Sequence, residues 1–413
     1  MVAKTARLSR WASNQQPATL ILLGVGLLGL LARIWVIQHS LGSNDMVTWR
    51  LFAADIDLYG LGFLYDNTQD FNHPPLMGLL AHLLYVMAAT TGVRFDVLFK
   101  IPQLLADAGA AALIYWAWQR KSARCAALVV ALFCWNPASL LVSAYHGNTD
   151  ALCVALALAA TLLVDRQRPL LAGLALGASI NVKLIPVLLI PVLYSCWGDW
   201  RRAARFTVGL SFGVLPFVPI AIWHWQGFYA HVLTYRPVPG NWGILSILSA
   251  LKTNANWGTL IQRFHLMTFW EQSGAHFAIL VPLVLAGVNL ARGRPWSARE
   301  LGACVLAAFL FLAPGYGIQY IAYPVALLFV ANLNRAVIFS TTAGLYAFVL
   351  YFSLWTHTRP FYSDFRVGHP VGAVVVGHLA WLLLIPTVVE LLRARQKPPL
   401  LSGPGHLGQA DPQ

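Results

Sequence analysis

Residues 18–45 read ATLILLGVGLLGLLARIWVIQHSLGSND, and this stretch decides the fold. The run over 18–38 is predominantly apolar. At a rise of 1.5 Å per residue it is long enough to cross a hydrocarbon core of about 30 Å. No small-residue cleavage site follows it, so it reads as a span and not as a removable signal segment. The chain then turns polar at Gly42-Ser43-Asn44-Asp45 and opens a loop over 39–96 that holds six of its 15 Asp and Glu residues. Long loops between spans are usually functional, and ionisable groups close to a bilayer are functional candidates.

Working outward, apolar runs of similar length recur to residue 392. The 413 residues are 58% hydrophobic and 10% charged, too apolar for an ordinary soluble domain. The expectation is an all-α, polytopic helical membrane protein of about 12 spans. They fall near 18–38, 97–119, 124–144, 149–165, 169–182, 183–198, 203–225, 276–292, 299–313, 316–332, 335–355 and 370–392. The fifth and sixth are short and read as one hairpin, broken around Asn181-Val182-Lys183, that does not fully cross. Residues 74–91 read as a partly embedded helix on the outer side. Residues 1–395 form one transmembrane domain with long outer loops at 39–96 and 226–275, and the Pro-, Gly- and Gln-rich tail 396–413 reads as disordered.

The net charge of +13 would suggest nucleic acid in a soluble protein. Here most of the 28 Lys and Arg fall in segments such as Lys4–Arg10, Arg120–Arg124, Arg201–Arg202, Arg292–Arg294 and Arg393–Lys397. They set topology, placing both termini in the cytoplasm and leaving no role for nucleic acid. Asp45, Asp66, Asp70, Asp150 and Glu271 fall on the opposite, outer side. The five cysteines form no Cys-x-x-Cys pair and indicate neither a zinc site nor a disulfide framework.

Four motifs carry the candidate chemistry. Residues 46–58 have the pattern of an interfacial amphipathic helix, with Asp45 at or just before its start, where a carboxylate could simply cap free N–H groups. Asp55 and Asp57 are weak metal candidates, because on a helix i and i+2 do not face each other. His73-Pro74-Pro75 closes the same loop. Asn136-Pro137 breaks a span and leads to His146-Gly147-Asn148-Thr149-Asp150, which reads equally as a polar connecting turn. Lys183 lies far inside an apolar stretch, at a cost of about 2.5–3.5 kcal/mol, and needs an acid, carbonyls or a bound phosphate. Finally, Arg236 and Asn241 lie in the second long loop, and Gln319-Tyr320 follows Pro314-Gly315-Tyr316.

These motifs resemble the GT-C superfamily of integral-membrane glycosyltransferases. Asn136-Pro137 through Asp150-Ala151, and Asn181 through Val187, look like paired motifs of the glycosylphosphatidylinositol mannosyltransferase I catalytic subunit. Gln319-Tyr320 resembles that family's Ser-Gln-Tyr segment. The same regions look like the N-glycan glucosyltransferases and the bacterial polyprenyl-phosphate-mannose mannosyltransferases. His73-Pro74-Pro75-Leu76 looks like a protein O-mannosyltransferase motif. The mannosyltransferase Asp-x-Asp is not matched in register, and the final 80 or so residues match none of these.

The resemblance implies an inverting transferase in the plasma (inner) membrane, working on the non-cytoplasmic face. It would take a polyprenyl-phosphate sugar, mannose by analogy, and pass it to a lipid or glycan acceptor among the membrane lipids. Asp45 would be the catalytic base. His73, His146, Asn148, Asp150, Lys183, Arg236, Asn241, Gln319 and Tyr320 would bind the donor phosphate or substrate. A divalent cation, Mg or Mn, stays open. The competing class is a lipid-linked sugar flippase or other transporter, because broken helices with an embedded lysine occur there too. Against it stand the absence of an inverted repeat and the crowding of acids in one loop. A non-catalytic scaffold accounts for neither Lys183 nor the loop acids.

The sidedness is directly testable. In a cysteine-free background, Asp70→Cys should react with an impermeant thiol reagent in intact cells, and Lys121→Cys only after permeabilisation. The reverse pattern would invert the span map.

Overall fold

The computed structural model describes residues 2–235, 242–355, 361–363 and 370–393, with side chains from residue 16 onward except at Ala255. The first helix, α1 (Val2–His39), runs into a short strand β1 (Ser40–Ser43), then α2 (Asn44–Tyr59), α3 (Leu61–Asn67) and α4 (Pro75–Thr91). After the turn at Gly92 come α5 (Phe95–Trp118), α6 (Ala123–Cys134) and α7 (Pro137–Leu140), which continues into a π-helical turn over Leu141–His146. Next are α8 (Asp150–Asp165), α9 (Pro169–Val182), α10 (Leu189–Ser195), α11 (Trp200–Gly213) and α12 (Phe217–Trp223). Three short helices follow, α13 (Trp225–Phe228), α14 (Ile244–Lys252) and α15 (Ala255–Arg263). The remainder is α16 (Leu266–Ala291), α17 (Ala298–Leu312), α18 (Val325–Ala331), α19 (Leu333–Ser353), strand β2 (Phe361–Ser363), α20 (Val371–Leu382) and α21 (Leu384–Arg393).

This is an all-α membrane protein. Among the described residues five helical segments are long and apolar enough to cross a bilayer: Gln16–His39, Phe95–Trp118, Leu266–Ala291, Leu333–Ser353 and Val371–Arg393. Two bent pairs raise the number to seven, α6 with Pro137–His146 at 47° and α11 with α12 at 65°. The expected count of about 12 is not confirmed by length. Pro169–Val182 and Ile185–Ser195 are apolar but short, and at 1.5 Å per residue a 14-residue helix covers only about 21 Å. Pro75–Thr91 is likewise a shorter apolar helix. The expected tail 396–413 lies outside the described residues.

The breaks fall where the sequence removes backbone donors or inserts polar groups. Pro137 cannot continue α6, and Asn136 caps the next turn, its Oδ1 accepting from Ser139 N at 2.8 Å. The break leaves the Cys134 carbonyl without its helical partner, and the buried Arg33 guanidinium of α1 donates to it. Arg33 also pairs with Asp107 of α5 at 2.8 Å. Asp107 in turn accepts from Ser139 at 3.0 Å and from Ser143 at 2.5 Å. Four elements are thus joined by one buried polar knot. The second break, at Lys183, follows the close pairing of α9 with α11, where Gly173 and Gly177 face Gly209 and Gly213. A Cβ on any of the four would meet backbone atoms of the other helix within 2.6 Å, the small-residue contact that lets membrane helices approach closely. Asn181 then accepts from Leu76 N at 3.3 Å and donates to Gly213 O at 3.2 Å. It pins the start of α4 to the broken end of α9.

β1 and β2 pair in parallel, with Ser40 opposite Phe361, Gly42 opposite Tyr362 and Ser43 opposite Ser363. Buried Lys100 of α5 supports β1 from below, donating to Ser40 O at 3.0 Å and Ser40 Oγ at 3.2 Å. Gly42 (φ +97°) and Gly147 (φ +77°) make this stacking feasible. Their backbones lie in the region that favours glycine. A Cβ would sit 2.4 Å from Tyr145 O at the first and 2.5 Å from Met46 Sδ at the second.

The Arg33–Asp107 pair gives a clear stability expectation. Arg33→Met leaves Asp107 charged, buried and without its cation, a loss of about 3–5 kcal/mol. Thermal unfolding in detergent should show a strongly lowered midpoint, and Arg33→Met/Asp107→Leu should recover most of it. An unchanged midpoint for the single variant would contradict the knot.

Candidate active site

The knot, the β1 strand and the turn after the π-helical segment bring residues separated by about a hundred positions to one end of the bundle. Asp45 lies inside the first turn of α2, not at its cap. Ser43 is the cap, with its side chain accepting from Asp45 N at 3.3 Å. Capping, the simpler of the two roles open to Asp45, thus falls to Ser43 and leaves the Asp45 carboxylate to other contacts. His146 Nε2 lies 3.0 Å and Asn148 Nδ2 2.7 Å from the same oxygen, Asp45 Oδ2. Oδ1 takes part in neither bond. The imidazole is buried while about 30% of the Asp45 side chain stays exposed, so the carboxylate faces accessible space with its other side held. Burial alone would raise the Asp45 pKa. Interaction with His146 first, then with Lys183 and His73, outweighs that and holds the carboxyl below its usual range.

His146 is positioned by the π-helical turn, and Gly147 reverses the chain so that Asn148 faces the same carboxylate. Asn148 Oδ1 also accepts from Thr149 N at 2.6 Å, leading into α8. Asp150, the first residue of α8, is fully buried and meets Lys183 at 2.8 Å. The embedded lysine therefore has an acid for a partner. Its ammonium also lies 5.2 Å from the Tyr320 ring centre and 5.8 Å from that of Tyr323. One of its three protons serves Asp150.

His73 lies close enough to feel the charges of both Lys183 and Asp45. Its ring packs 4.4 Å from Trp49, and its backbone carbonyl accepts from Tyr65 OH at 2.9 Å. Burial first, and then the Lys183 charge, push its imidazole down to about 3 against the opposing pull of Asp45, so the ring is neutral near pH 7. Tyr320 lies on the turn Ile318–Ala322, and Gln319 beside it makes no hydrogen bond to any of these groups among the described residues. Arg236 and Asn241 lie outside the described residues. Their neighbour Tyr235 has its phenol raised by burial and by the Asp45 charge.

A divalent cation finds no ready ligand set among the described residues. No group of three or more His, Cys, Asp or Glu is placed to hold one among the described residues. Asp57 instead lies 3.7 Å from His82, and neither it nor Asp55 joins the Asp45 cluster. Two residues absent from the sequence reading complete the site. Tyr351, near the end of α19, lies 2.9 Å from His146 Nδ1, and Ser363 on β2 donates to Tyr351 O at 2.9 Å. A tyrosine at the end of an apolar helix is indistinguishable from an interfacial belt residue in a sequence.

The model of glycosyltransferase family 87 matches residues 71–314, more than half of the chain. The chain belongs to glycosyltransferase family 87. It is accordingly a membrane glycosyltransferase, and the family gives no support to the transporter reading. The matched segment contains His73, His146, Asn148, Asp150 and Lys183, while Asp45 and Tyr351 lie on either side of it. No curated protein matches the chain.

The Asp150–Lys183 contact yields a second stability test. Lys183→Met strands a buried carboxylate and should cost about 3–5 kcal/mol. Asp150→Leu/Lys183→Met should recover most of that in a thermal melt. If both variants melt together, far below the parent, the two residues serve packing roles beyond their mutual charge.

Proposed function

We propose that this protein is an inverting glycosyltransferase of GT-C type that uses a polyprenyl-phosphate sugar. The observation that carries the reading is the Asp45 carboxylate, anchored through Oδ2 by His146 and Asn148 and reachable from open space, in a chain of a glycosyltransferase family. In the proposed step Asp45 Oδ1 takes the proton of an acceptor hydroxyl. The acceptor oxygen bonds to the anomeric carbon as the bond from that carbon to the donor phosphate oxygen breaks. The electron pair leaves with the polyprenyl phosphate, whose charge rises by one unit. A single displacement inverts the anomeric centre.

Charge on the departing phosphate must be neutralised. Lys183 is assigned this role with its two remaining protons while Asp150 holds the ammonium in place, and Arg236 is assigned the second cation. His146 is engaged with Asp45 and is reassigned from phosphate binding to holding the base. His73, neutral and packed on Trp49, suits a hydrogen bond to sugar or phosphate, and Asn241, Gln319 and Tyr320 keep the substrate-binding role that the sequence assigns them. Mannose is taken from the GT-C resemblance alone, and the lipid or glycan acceptor, the non-cytoplasmic active face, the plasma (inner) membrane and the cytoplasmic termini belong to the same proposal.

The test is transfer by purified protein given polyprenyl-phosphate mannose, glucose or arabinose with candidate acceptors. Asp45→Asn keeps the size of the side chain and removes the base, so turnover should fall by roughly 10²-fold or more while donor binding and the melting midpoint persist. Asp55→Asn and Asp57→Asn should be far milder. Near-normal transfer by Asp45→Asn would sink the mechanism.

A further inference from the structure

We propose that Tyr351 is a positioning residue that holds His146 in the tautomer able to donate to Asp45. The proposal rests on the catalytic reading of Asp45. Its geometry comes from a part of the chain beyond the family match, and no motif marked it. Tyr351 is only 4% exposed, and its hydroxyl lies 2.9 Å from His146 Nδ1. A belt tyrosine would instead place its hydroxyl at the lipid–water boundary.

The direction of the chain of bonds follows from elementary chemistry. An ionised carboxylate only accepts, so the His146 nitrogen 3.0 Å from Asp45 Oδ2 must carry a proton. In a neutral imidazole the other nitrogen, Nδ1, then carries a lone pair. The Tyr351 hydroxyl donates to that lone pair. Without this donor a neutral ring can place its proton on Nδ1 and turn a lone pair toward the carboxylate, which loses one of the two bonds that hold Oδ2.

Tyr351 is itself fixed by the small sheet. Ser363 on β2 donates to Tyr351 O at 2.9 Å and lies 2.7 Å from Tyr145 OH. Ser363 pairs with Ser43 on β1. Ser43 caps α2 beneath Asp45 and donates to His146 O at 3.3 Å. The contacts form a closed ring through Ser43, Ser363, Tyr351, His146 and Asp45. The segment after α19 thus reaches back to the first loop and sets the imidazole that sets the carboxylate.

The test compares parent, Tyr351→Phe, His146→Gln and the double variant in steady-state transfer, with Asp45→Asn alongside. Tyr351→Phe should lower kcat roughly tenfold, equivalent to one such interaction, with KM for donor and acceptor unchanged. In the His146→Gln background it should have no further effect. Full additivity would overturn the proposal by placing the hydroxyl's action elsewhere. So would normal kcat in Tyr351→Phe when Asp45→Asn is inactive. A second arm needs neither a variant that folds nor any activity. In ¹⁵N-histidine spectra of the parent protein, His146 should show an unprotonated Nδ1 and a protonated Nε2 at neutral pH. A protonated Nδ1 in the parent overturns the proposal. If Asp45→Asn transfers normally, the catalytic reading fails by itself, and the spectrum still decides the hydrogen-bond assignment.

Discussion

The rest of the structure depends on the pairing of Arg33 with Asp107 inside the bundle. Two charges in an apolar environment are tolerable only when they meet each other and when their remaining donors and acceptors are satisfied. Here Ser139, Ser143 and the freed carbonyl of Cys134 complete the set. Because these partners come from α1, α5 and the broken span α6–α7, satisfying the charges fixes how the three cross. The end of α1 and the turn at His146 are then held at one level. A strand only four residues long, β1, is enough to carry the chain from one to the other. The contact between Asp45 and His146 builds on that buried constraint.

A second constraint runs in parallel. Backbone groups released by a break in an apolar medium must find partners within the protein. Asn136, Asn181 and Arg33 meet that demand at the two breaks. Asn136 joins the two sides of its own break, while Arg33 and Asn181 each tie a break to another element. The glycine contacts of α9 with α11 act on the same point. They bring the end of α9 close to the start of α4 and so place Lys183 and His73 in the same neighbourhood, as their mutual electrostatic influence reflects.

Much of this was legible in the sequence because polar residues stand out in apolar runs. Asn136-Pro137, His146 through Asp150, and Asn181 through Lys183 announced breaks, and each is one. A buried lysine demanded a partner, and an acid supplied it. Other features were hidden for physical reasons. Ser43, Asn44 and Asp45 are all good cap residues, so composition could not choose the cap, and the structure chose Ser43. Arg33, Lys100 and Asp107 sit within runs whose mean hydropathy they barely alter, although charges inside spans should themselves have raised the question. The shortness of α9 and α10, by contrast, was visible in the sequence as a broken hairpin that does not fully cross, and both are shorter apolar helices. Tyr351 and Ser363 left no local trace, since their meaning lies in pairing across more than two hundred residues.

The Asp45 environment also constrains any mechanism drawn through it. General-base catalysis is most efficient when the base has a pKa near the working pH, and the neighbours of Asp45 hold it below its ordinary range. Such a carboxylate is a weak base toward a neutral alcohol at neutral pH. On the proposed reading, departure of the phosphate therefore has to lead. As the anomeric carbon gains positive character and the acceptor oxygen begins to share its electrons, the hydroxyl proton becomes acidic enough for a weak base to take. The two halves of the site then have separate tasks. On that proposal Lys183, steadied by Asp150, favours the build-up of charge on the leaving group, and His146 with Asn148 keeps the carboxylate aimed until that charge has developed. A base of higher pKa would be protonated for part of the time. On that proposal basicity is given up for a carboxylate that stays ionised despite its burial.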